Sequence, residues 1–415
     1  MDLRHFLRNN CLMSDLERIL PLWRDLESTR ADYVLATVVA VEGSSYRKPG
    51  AHMVLAGDGR RAGSVSGGCL EAEVARRAQW LTAGGPVVER YSTKEDDGER
   101  PYGSGCGGVV SVLLERSQTA APLLAALERA FEERTPLGVA TVLDGPAIGQ
   151  RAFAGLANNP LEVAQPSNGP QATAENALQG LAEWALDSCA PLVRRTEVNG
   201  LPANAWAEYR PARPGLWIFG AGDDARPLVR LARELGWFVA VADGRSDLAT
   251  RERFPTASQV SVLPMGKASG GDPSRDSLPS IGLSAGGPAA MVPSLIGLKP
   301  TDAAVVMAHS FEQDSRVLAG LFSLAAPPAY IGVLGPQRRT RELLTEAARM
   351  LGMDSPLARA ERWLKLVHAP MGLDLGADTP ATISLSVLAE IQKVLRAATG
   401  LPLRRVRAST EAIQE

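Results

Sequence analysis

The sequence predicts an α/β protein in which a mixed N-terminal domain precedes a domain built on a doubly wound parallel sheet. At 415 residues the chain is longer than one ordinary domain, for which about 100–200 residues are typical. Residues 216–220 form a short apolar run that enters a glycine-rich loop at 220–222, and a helical pattern follows. A second apolar run, 238–242, ends in Asp243, about 20 residues after the loop. This order of elements predicts a Rossmann-like C-terminal domain.

The N-terminal mixed α/β domain is expected to span residues 12–144. Apolar residues at helical spacing predict its helices, and β-branched apolar runs predict its strands. The predicted helices cover 12–26, with Ser14 as N-cap, 70–81 and 121–133, and the predicted strands cover 33–41, 52–55, 62–65, 109–114 and 137–143.

Weaker patterns separate the two domains. Between 145 and 213, prolines and glycines interrupt the periodicity, so we expect an elaboration and linker with one helix near 179–186. The Rossmann-like domain then spans 214–396. Within it, residues 263–300 are rich in Gly, Ser and Pro without periodicity, which predicts a mobile insertion.

The composition argues against several classes of function. Hydrophobic residues make up 45% and charged residues 22% of the chain, which is typical of a globular protein. A net charge of −2 offers no basic face to nucleic acid, and no apolar run approaches the roughly 18 residues of a membrane-spanning helix. The N-terminal residues lack the apolar core of a secretory signal. The four cysteines contain no CxxC pair, so neither a metal site nor a disulfide framework is predicted. We expect a cytoplasmic protein that binds neither nucleic acid nor membrane.

The segment 64–73 places a cysteine where thiols become reactive. Cys69 lies at or just inside the start of a predicted helix, where unpaired N–H groups and the helix dipole favour a thiolate. Gly67 and Gly68 leave the backbone open to the close approach of a ligand. The alternative is a small, inert cysteine packed beneath a tight turn, and the segment alone does not decide between the two.

A loop with two hydroxyls and two cations follows the first predicted strand. Its residues Ser44, Ser45, Arg47 and Lys48 are candidates to bind a phosphate, although the loop is not a Walker motif. The alternative is a hairpin connection with solvated charges. Because two short strands lead from this loop to Cys69, we expect the two loops to lie at the same end of a sheet.

A second cysteine, Cys106, stands among four glycines and precedes the strand 109–114. Because glycines have no side chains to shield the thiol, an exposed Cys106 is favoured over a buried one. Two glycine-flanked cysteines in one domain indicate a thiol site more strongly than either does alone.

The C-terminal domain contains candidate nucleotide-binding residues. Gly220 and Gly222 are expected at the pyrophosphate and Asp243 at a ribose hydroxyl, while Arg245 admits NADP beside NAD. The prediction of nucleotide binding is weakened by an acidic pair, residues 223–224, where the pyrophosphate would sit.

One histidine of this domain is a candidate for chemistry. His309 follows the apolar strand 303–307, and the carboxyl ends of strands line the ligand crevice of a doubly wound sheet. His309 is therefore a candidate acid or base. The alternative is a structural histidine.

Together these blocks resemble the xanthine dehydrogenase accessory protein family, also called the XdhC/CoxI family. The matching blocks are GSSYRKPG, SGGCLEAE and GCGG, then IFGAGDDA, VADGR, VVMAHSFEQD, YIGVLGPQRR and HAPMGLDLGADTPATISLSVLAEI. They span residues 12–395 and skip 144–213 and 263–300. One departure is Asp223, where many relatives carry His, which puts any role of that His in doubt here.

The resemblance implies a maturation factor for molybdenum hydroxylases. Such a protein binds a molybdopterin-type molybdenum cofactor as cargo, protects it while a cysteine desulfurase supports exchange of its terminal oxo ligand for sulfur, and passes it to the apoenzyme of a xanthine, aldehyde or carbon monoxide dehydrogenase. By this analogy Cys69 is the thiol closest to the cofactor and Cys106 is the second candidate. A homo-oligomeric carrier is favoured over a turnover enzyme.

Two other functions remain open from the sequence. One is an NAD(P)-dependent oxidoreductase that uses His309 as acid or base, which requires tight cofactor binding despite Asp223 and Asp224. The other is a regulatory protein in which a nucleotide in the C-terminal domain controls the N-terminal site.

Overall fold

A computed structural model of the chain describes residues 13–43, 45–68, 70–92, 108–156, 170–264 and 297–406. The chain divides into two compact units, one ending at Arg213 and the other beginning at Pro214. Most of the insertion predicted at 263–300 lies outside the described residues.

The N-terminal unit combines helices with short strands. Its described helices are α1 (Met13–Thr29), α2 (Glu71–Leu81), α3 (Ser117–Glu133) and α4 (Pro170–Ser188). Its described strands are β1 (Tyr33–Glu42), β2 (His52–Ala56), β3 (Arg61–Gly63), β4 (Val87–Ser92), β5 (Val109–Arg116), β6 (Leu137–Val142), β7 (Arg151–Ala154), β8 (Leu192–Val198) and β9 (Leu201–Arg210).

The described strands of this unit form two antiparallel sheets. The first has the strand order β3-β2-β1-β5-β4, and the second has the order β7-β6-β9-β8. The register of β1 against β5 shifts between Val38 and Ala40, which indicates a β-bulge. Such a bulge bends a strand and redirects the side chains that follow it.

The two sheets face each other across a buried core. Leu35 of β1 and Val139 of β6 belong to one apolar cluster with α1 and α3, and farther along Val39 packs with Trp206 of β9. Helix α2 covers the outer face of the first sheet, and α4 covers the outer face of the second. Because β1 is covered on both faces, its sequence reads as a nearly continuous apolar run.

Residues 145–213, expected as an elaboration and linker, contribute β7, β8 and β9 to the second sheet. Helix α4 is longer than the predicted 179–186 and packs on this sheet. β8 is an edge strand whose Arg194 and Arg195 are exposed. Charge on an edge strand is common, and it obscures the apolar pattern that would predict the strand.

The C-terminal unit alternates strands and helices. Its described strands are β10 (Gly215–Phe219), β11 (Phe238–Asp243), β12 (Gln259–Val262), β13 (Ala303–Val306) and β14 (Tyr330–Val333). Its described helices are α5 (Ala225–Glu234), α6 (Phe311–Ser323), α7 (Gln337–Met350), α8 (Pro356–Leu364) and α9 (Pro380–Leu395).

The strands of this unit form one parallel sheet in the order β12-β11-β10-β13-β14. Helices α5 and α9 pack on one face, and α6, α7 and α8 pack on the other. The predicted doubly wound, Rossmann-like fold is therefore confirmed. The strand order reverses between β10 and β13, where sheets of this kind open a ligand crevice. Among the described helices of the whole chain, none is both long and apolar enough to cross a membrane.

Candidate functional site

Cys69 lies outside the described residues, but the chain on both sides of it is described. Helix α2 begins at Glu71, whose side chain is buried. The Glu71 carboxylate accepts hydrogen bonds from the Ser64 hydroxyl at 2.6 Å, the Ser66 amide at 2.9 Å and the Ser66 hydroxyl at 2.5 Å. The first residue of α2 therefore holds the cysteine loop, which we define as residues 64–70.

Ser66 extends this link to the residues next to Cys69. Its Oγ accepts hydrogen bonds from the amides of Gly68 at 3.2 Å and Leu70 at 3.1 Å, one on each side of position 69. Gly68 has a φ of +117°, a conformation that glycine adopts without strain. Gly67 and Gly68 are exposed. The buried Ser66 side chain thus holds the backbone of the cysteine loop on its inner side, whereas Gly67 and Gly68 are exposed to solvent.

Glu71 also changes the electrostatics that the sequence predicts for this helix terminus. Burial alone would raise the pKa of Glu71, but hydrogen bonds from Ser64 and Ser66 outweigh it and keep the pKa below its usual value. The carboxylate is therefore ionised at neutral pH, and Glu73 adds a second acidic group to the first turn. The Glu71 carboxylate therefore lies at the positive end of the helix dipole, which the sequence predicts to favour a thiolate.

The loop between β1 and β2, residues 43–50, is called the basic loop below. Ser44 lies outside the described residues, and Ser45 is half-buried. Arg47 is buried and forms an ion pair with Asp15 of α1, whereas Lys48 is exposed. Arg47 thus anchors the loop to α1, and its contact with a phosphate stays a prediction. Lys48 remains accessible to an anion.

The basic loop and the cysteine loop are in contact. A Cβ placed on Gly67 would lie 3.4 Å from Cγ of Tyr46, whose side chain is 75% exposed. The structure therefore brings the two predicted loops together, as the order of the short strands between them suggests.

The other cysteines contribute less to the described structure. Cys106 and the neighbouring Gly103, Gly105 and Gly107 lie outside the described residues. Cys189, after α4, is a half-buried free thiol, and burial raises its pKa. Within the described ranges, no group of three or more His, Cys, Asp and Glu side chains is arranged to hold a metal ion.

A buried polar cluster lies between the two sheets, and the sequence patterns do not predict it. The ring of His52, on β2, has a hydrogen-bond partner on each side. Its Nδ1 lies 2.9 Å from Oγ1 of Thr37 on β1, and its Nε2 contacts the guanidinium of Arg210 on β9. Arg210 also donates to the Gly50 carbonyl at 2.7 Å and pairs with Glu208 Oε2 at 2.9 Å. The cluster ties the end of the basic loop to the second sheet.

Charges in this cluster occur in opposite pairs. Arg151 of β7 forms a buried ion pair with Glu115 of β5, as Arg210 does with Glu208. Burial, reinforced by the nearby arginines, holds the pKa of His52 well below its usual value, so the ring is neutral at neutral pH. Burial also raises the pKa of Glu208, although Arg210 opposes this shift.

A cleft of about 610 Å³, called the Glu208 cleft below, opens beside the basic loop. This volume lies within the roughly 300–1,000 Å³ typical of small-molecule sites. Apolar wall residues and two charged residues line it: Val39, Val41, Val193 and Trp206, with Lys48 and Glu208. The Oε1 atom of Glu208 is buried and has no hydrogen-bond partner among the described residues.

In the C-terminal unit, the loop after β10 packs directly on the end of β13. A Cβ on Gly220 would lie 2.6 Å from the carbonyl carbon of Met307 and 2.7 Å from the amide nitrogen of Ala308. Gly220 also has a φ of +136°. Glycine is therefore required here by the close approach of two backbones. At Gly222 a Cβ would lie 2.6 Å from Oδ1 of Asp224.

Asp243 ends β11 fully buried, and its carboxylate is used within the protein. It accepts hydrogen bonds from the Ala221 amide at 2.7 Å, the Arg245 amide at 2.9 Å, and Nε and Nη2 of Arg245 at 3.0 and 2.7 Å. Burial would raise the pKa of Asp243, but these hydrogen bonds outweigh it and lower the pKa. A carboxylate has about four acceptor sites. Asp243 therefore fixes the glycine loop, whereas the sequence pattern predicts a contact with ribose.

His309 lies at the crevice with a φ of +60° and an exposed ring. Its Nε2 is 3.0 Å from Oδ2 of Asp224, and the neighbouring Asp223 pairs with Arg253 at 2.9 Å. Both carboxylates precede the N-terminus of α5, the position at which a phosphate would bind in a nucleotide site.

Comparison with known proteins matches both units. Residues 27–92 match the XdhC and CoxI family, and residues 216–391 match the XdhC Rossmann domain. Over 366 residues, 86% of this chain, the sequence is 30% identical to a probable xanthine dehydrogenase subunit from Bacillus subtilis (strain 168), and the match covers 92% of that protein. The chain belongs to the XdhC and CoxI family.

Two further known proteins are similar to this chain over most of its length. It is 26% identical over 373 residues to the molybdenum cofactor insertion chaperone PaoD of Escherichia coli (strain K12), with 87% of this chain and 83% of PaoD covered. The crystal structure of a xanthine dehydrogenase from Bacillus halodurans aligns with a TM-score of 0.59 at 26% identity, covering 92% of this chain and 96% of that one.

The family matches divide the N-terminal unit. The XdhC and CoxI match contains the basic loop and the cysteine loop and ends at Ser92. Glu208 and Arg210 lie outside both matched regions. The buried polar cluster therefore joins residues inside the XdhC and CoxI match to residues beyond it.

Proposed function

We propose that this chain is a maturation factor that binds a molybdopterin-type cofactor as cargo and inserts it into the apoenzyme of a xanthine, aldehyde or carbon monoxide dehydrogenase. The observation that carries the proposal is the 26% identity, over 87% of the chain, to a protein named as a molybdenum cofactor insertion chaperone. The contact between the basic loop and the cysteine loop supports it, because it brings the loop that carries the exposed Lys48 against the loop in which the thiol is predicted.

In this proposal the N-terminal unit holds the cargo. Lys48 and Ser45 bind the cofactor phosphate through charge and hydrogen bonding. Cys69 lies nearest the molybdenum dithiolene, and Cys106 is the second thiol. Thiolates are soft ligands that suit metals with sulfur coordination. Glu71 and Ser66 have a positioning role, since they fix the loop on both sides of Cys69.

The proposal includes a cysteine desulfurase as the source of the sulfur that replaces the terminal oxo ligand. The covalent chemistry then belongs to the cofactor and the desulfurase, while this chain binds, orients and shields the cargo. We further propose that the protein acts in the cytoplasm and that it forms a homo-oligomer. Light scattering on the purified chain tests the oligomeric state.

Co-purification tests the binding of cargo. The full chain is expressed in a host that makes molybdopterin and isolated gently, and bound molybdenum and oxidised pterin fluorescence are measured. We expect stoichiometric pterin in the wild type and in Cys189→Ala, and its loss in Cys69→Ala. Absence of pterin from the wild type, under conditions in which a known carrier retains it, contradicts the proposal.

Sulfuration is tested separately with a client apoenzyme and a desulfurase. We expect Cys69→Ala combined with Cys106→Ala to abolish activation of the client, with Cys189→Ala as the matched control. Unchanged activation by the double variant would remove the thiols from the mechanism.

A second candidate function is that of an NAD(P)-dependent oxidoreductase with His309 as acid or base. It is favoured by the parallel strand order and by the position of His309 at the switch point. It is opposed by the internal hydrogen bonds of Asp243 and by two carboxylates before α5. Calorimetric titration with NAD and with NADP separates the two functions: we expect no heat, and tight binding would favour the oxidoreductase.

A further inference from the structure

Glu208 presents a buried oxygen without a hydrogen-bond partner. Its side chain is 5% exposed, and Oε2 pairs with Arg210, whereas Oε1 has no partner among the described residues. A buried acceptor left unpaired is destabilising, because it has lost its hydrogen bonds to water without gaining a protein donor. Glu208 is one of the residues that line the cleft, so a ligand that displaces the side chains covering Oε1 and donates a hydrogen bond to it would satisfy this acceptor.

The surrounding charges decide which kind of donor fits. Glu208 is already matched by Arg210, and nearby Glu115 is matched by Arg151. A cationic ligand would add an unmatched positive charge near two arginines, whereas a neutral N–H donor adds none. A carboxylate has about four acceptor sites, so Glu208 can accept two further N–H groups while it keeps Arg210. The cleft therefore favours a neutral ligand edge with two adjacent N–H donors.

The rest of the lining fits a flat ring that carries an anion. Val39, Val41 and Trp206 supply apolar surface, and Val193 is 57% exposed in the same cleft. A ring placed against these side chains would remove apolar area from water. Lys48 is the exposed cation of the lining and is suited to an anionic substituent of that ring.

We propose that the Glu208 cleft binds the pterin ring of the cargo, with Glu208 accepting hydrogen bonds from the N3–H and 2-amino groups and Lys48 binding the anionic substituent. The choice of pterin rests on the proposed function. Guanine presents the same pair of donors on its 2-amino-oxopyrimidine edge, and so it is the competing source of this chemistry.

The basic loop contributes to the cleft and also contacts the cysteine loop. Lys48 lines the cleft, and Tyr46, two residues earlier, lies against Gly67 in the cysteine loop. Two residues of chain span at most about 7 Å. In this assignment a single cofactor contacts the cleft with its pterin and extends along the basic loop toward the cysteine loop.

Fluorescence titration of the purified full chain with 6-carboxypterin tests the pterin edge. The control ligand is 6-carboxylumazine, in which an oxo group replaces the 2-amino group. We expect 6-carboxypterin to bind at least about tenfold more tightly, as the loss of one or two buried hydrogen bonds implies. Equal affinities for the two ligands would overturn the proposal.

Variants test the two recognising residues. Glu208→Gln is expected to weaken 6-carboxypterin binding about tenfold and to weaken 6-carboxylumazine binding less, because lumazine keeps N3–H but has no 2-amino group. Glu197→Gln, at an exposed position of β8, is the matched control. Lys48→Ala is expected to weaken binding of 6-carboxypterin but not of unsubstituted pterin. An affinity for 6-carboxypterin that is unchanged in Glu208→Gln contradicts the assignment.

A second variant covers the case in which Glu208→Gln does not fold. Val193→Trp fills the cleft from an exposed position and leaves the Glu208–Arg210 pair intact. We expect it to fold and to lose 6-carboxypterin binding. Wild-type affinity in folded Val193→Trp would place the ligand elsewhere and overturn the proposal.

GMP is the second ligand arm. Glu208-dependent binding of GMP without binding of 6-carboxypterin would assign the cleft to guanine nucleotides and overturn the pterin assignment. Co-purified molybdopterin together with titrations that do not depend on Glu208 rejects the cleft and leaves the proposed function intact. Glu208-dependent pterin binding by a chain that co-purifies without molybdopterin supports the cleft and rejects the proposed function.

Discussion

His309 Nε2 lies 3.0 Å from Asp224 Oδ2, so the loop after β13 is linked to the N-terminus of α5 by a carboxylate. In a Rossmann-like unit this helix terminus is where a dinucleotide phosphate binds. Asp223, held by Arg253, adds a second carboxylate at the same place. The fold of a nucleotide site is present while the local charge is unfavourable to phosphate.

Replacing both carboxylates is expected to increase affinity for NAD and NADP. Asp223→Ser combined with Asp224→Ser removes two charges that each repel a phosphate by about 1 kcal/mol at 4 Å in water, and by more where water is excluded. We expect calorimetry to detect binding by the double variant where the wild type gives no heat, which corresponds to at least about tenfold higher affinity. Asp354→Ser, at an exposed position in the same unit, is the control. The same calorimetric result for the wild type and the double variant would show that charge does not limit nucleotide binding.

Glu71→Ala is expected to loosen the cysteine loop. The variant removes the acceptor of three hydrogen bonds from Ser64 and Ser66, two of which involve buried groups. A loss of about 2 kcal/mol in local stability corresponds to roughly 30-fold faster amide hydrogen exchange in residues 66–70. Glu73→Ala is the matched control, because the Glu73 contact with Arg76 is largely exposed. Similar exchange rates in both variants would contradict the bracing role of Glu71.

The C-terminal fold is predictable from sequence because its pattern is local. Strands β10, β11, β13 and β14 are buried on both faces and read as short apolar runs, and glycine-rich or capping residues follow them. The position of Asp243 at the end of β11 follows from the same pattern. Its hydrogen bonds to Ala221 and Arg245 do not, because the pattern places a carboxylate without naming its partners.

The second sheet and the buried polar cluster could not be predicted in the same way. β8 lies at a sheet edge with charged residues facing solvent, so its pattern resembles a loop. The cluster joins Thr37 and His52 to Glu208 and Arg210, which lie more than 150 residues away in sequence. Polar residues at inner-face positions of otherwise buried strands are the signal that could have indicated it.

His52→Gln is expected to change how stability depends on pH. Burial and nearby arginines hold the folded-state pKa of His52 well below its usual 6.5. Below about pH 6.5 the unfolded chain takes up a proton at His52 that the folded chain does not, so His52 lowers the free energy of unfolding as the pH falls. Well above pH 6.5, His52 is neutral in both the folded and the unfolded chain, and its titration no longer changes stability.

The measurement is the free energy of unfolding by urea, followed by tryptophan fluorescence at a series of pH values. Between pH 6 and 5 we expect the wild type to lose up to about 1.4 kcal/mol more than His52→Gln. Subtracting the two profiles removes the titration of groups common to both proteins. Parallel profiles would mean that His52 gains its proton in the folded state as readily as in the unfolded state.

Arg47→Ala and Lys48→Ala are expected to separate the two roles of the basic loop. Arg47 is buried against Asp15, so its removal leaves a mostly buried carboxylate without its partner and is expected to cost about 3 kcal/mol. Lys48 is exposed, and Lys48→Ala is expected to change stability by less than about 0.5 kcal/mol.

For ligand binding we expect the opposite: the substitution of Lys48 has the larger effect and that of Arg47 the smaller one. Lys48→Ala is expected to weaken 6-carboxypterin binding and the retention of co-purified cofactor, because it removes the accessible cation beside the Glu208 cleft. Arg47→Lys keeps a charge opposite Asp15 and is expected to retain ligand binding at temperatures where it remains folded. If Arg47→Lys lost ligand while its unfolding profile stayed that of the wild type, the guanidinium would contact the ligand itself, and the loop would bind anions with both cations as the sequence pattern predicts.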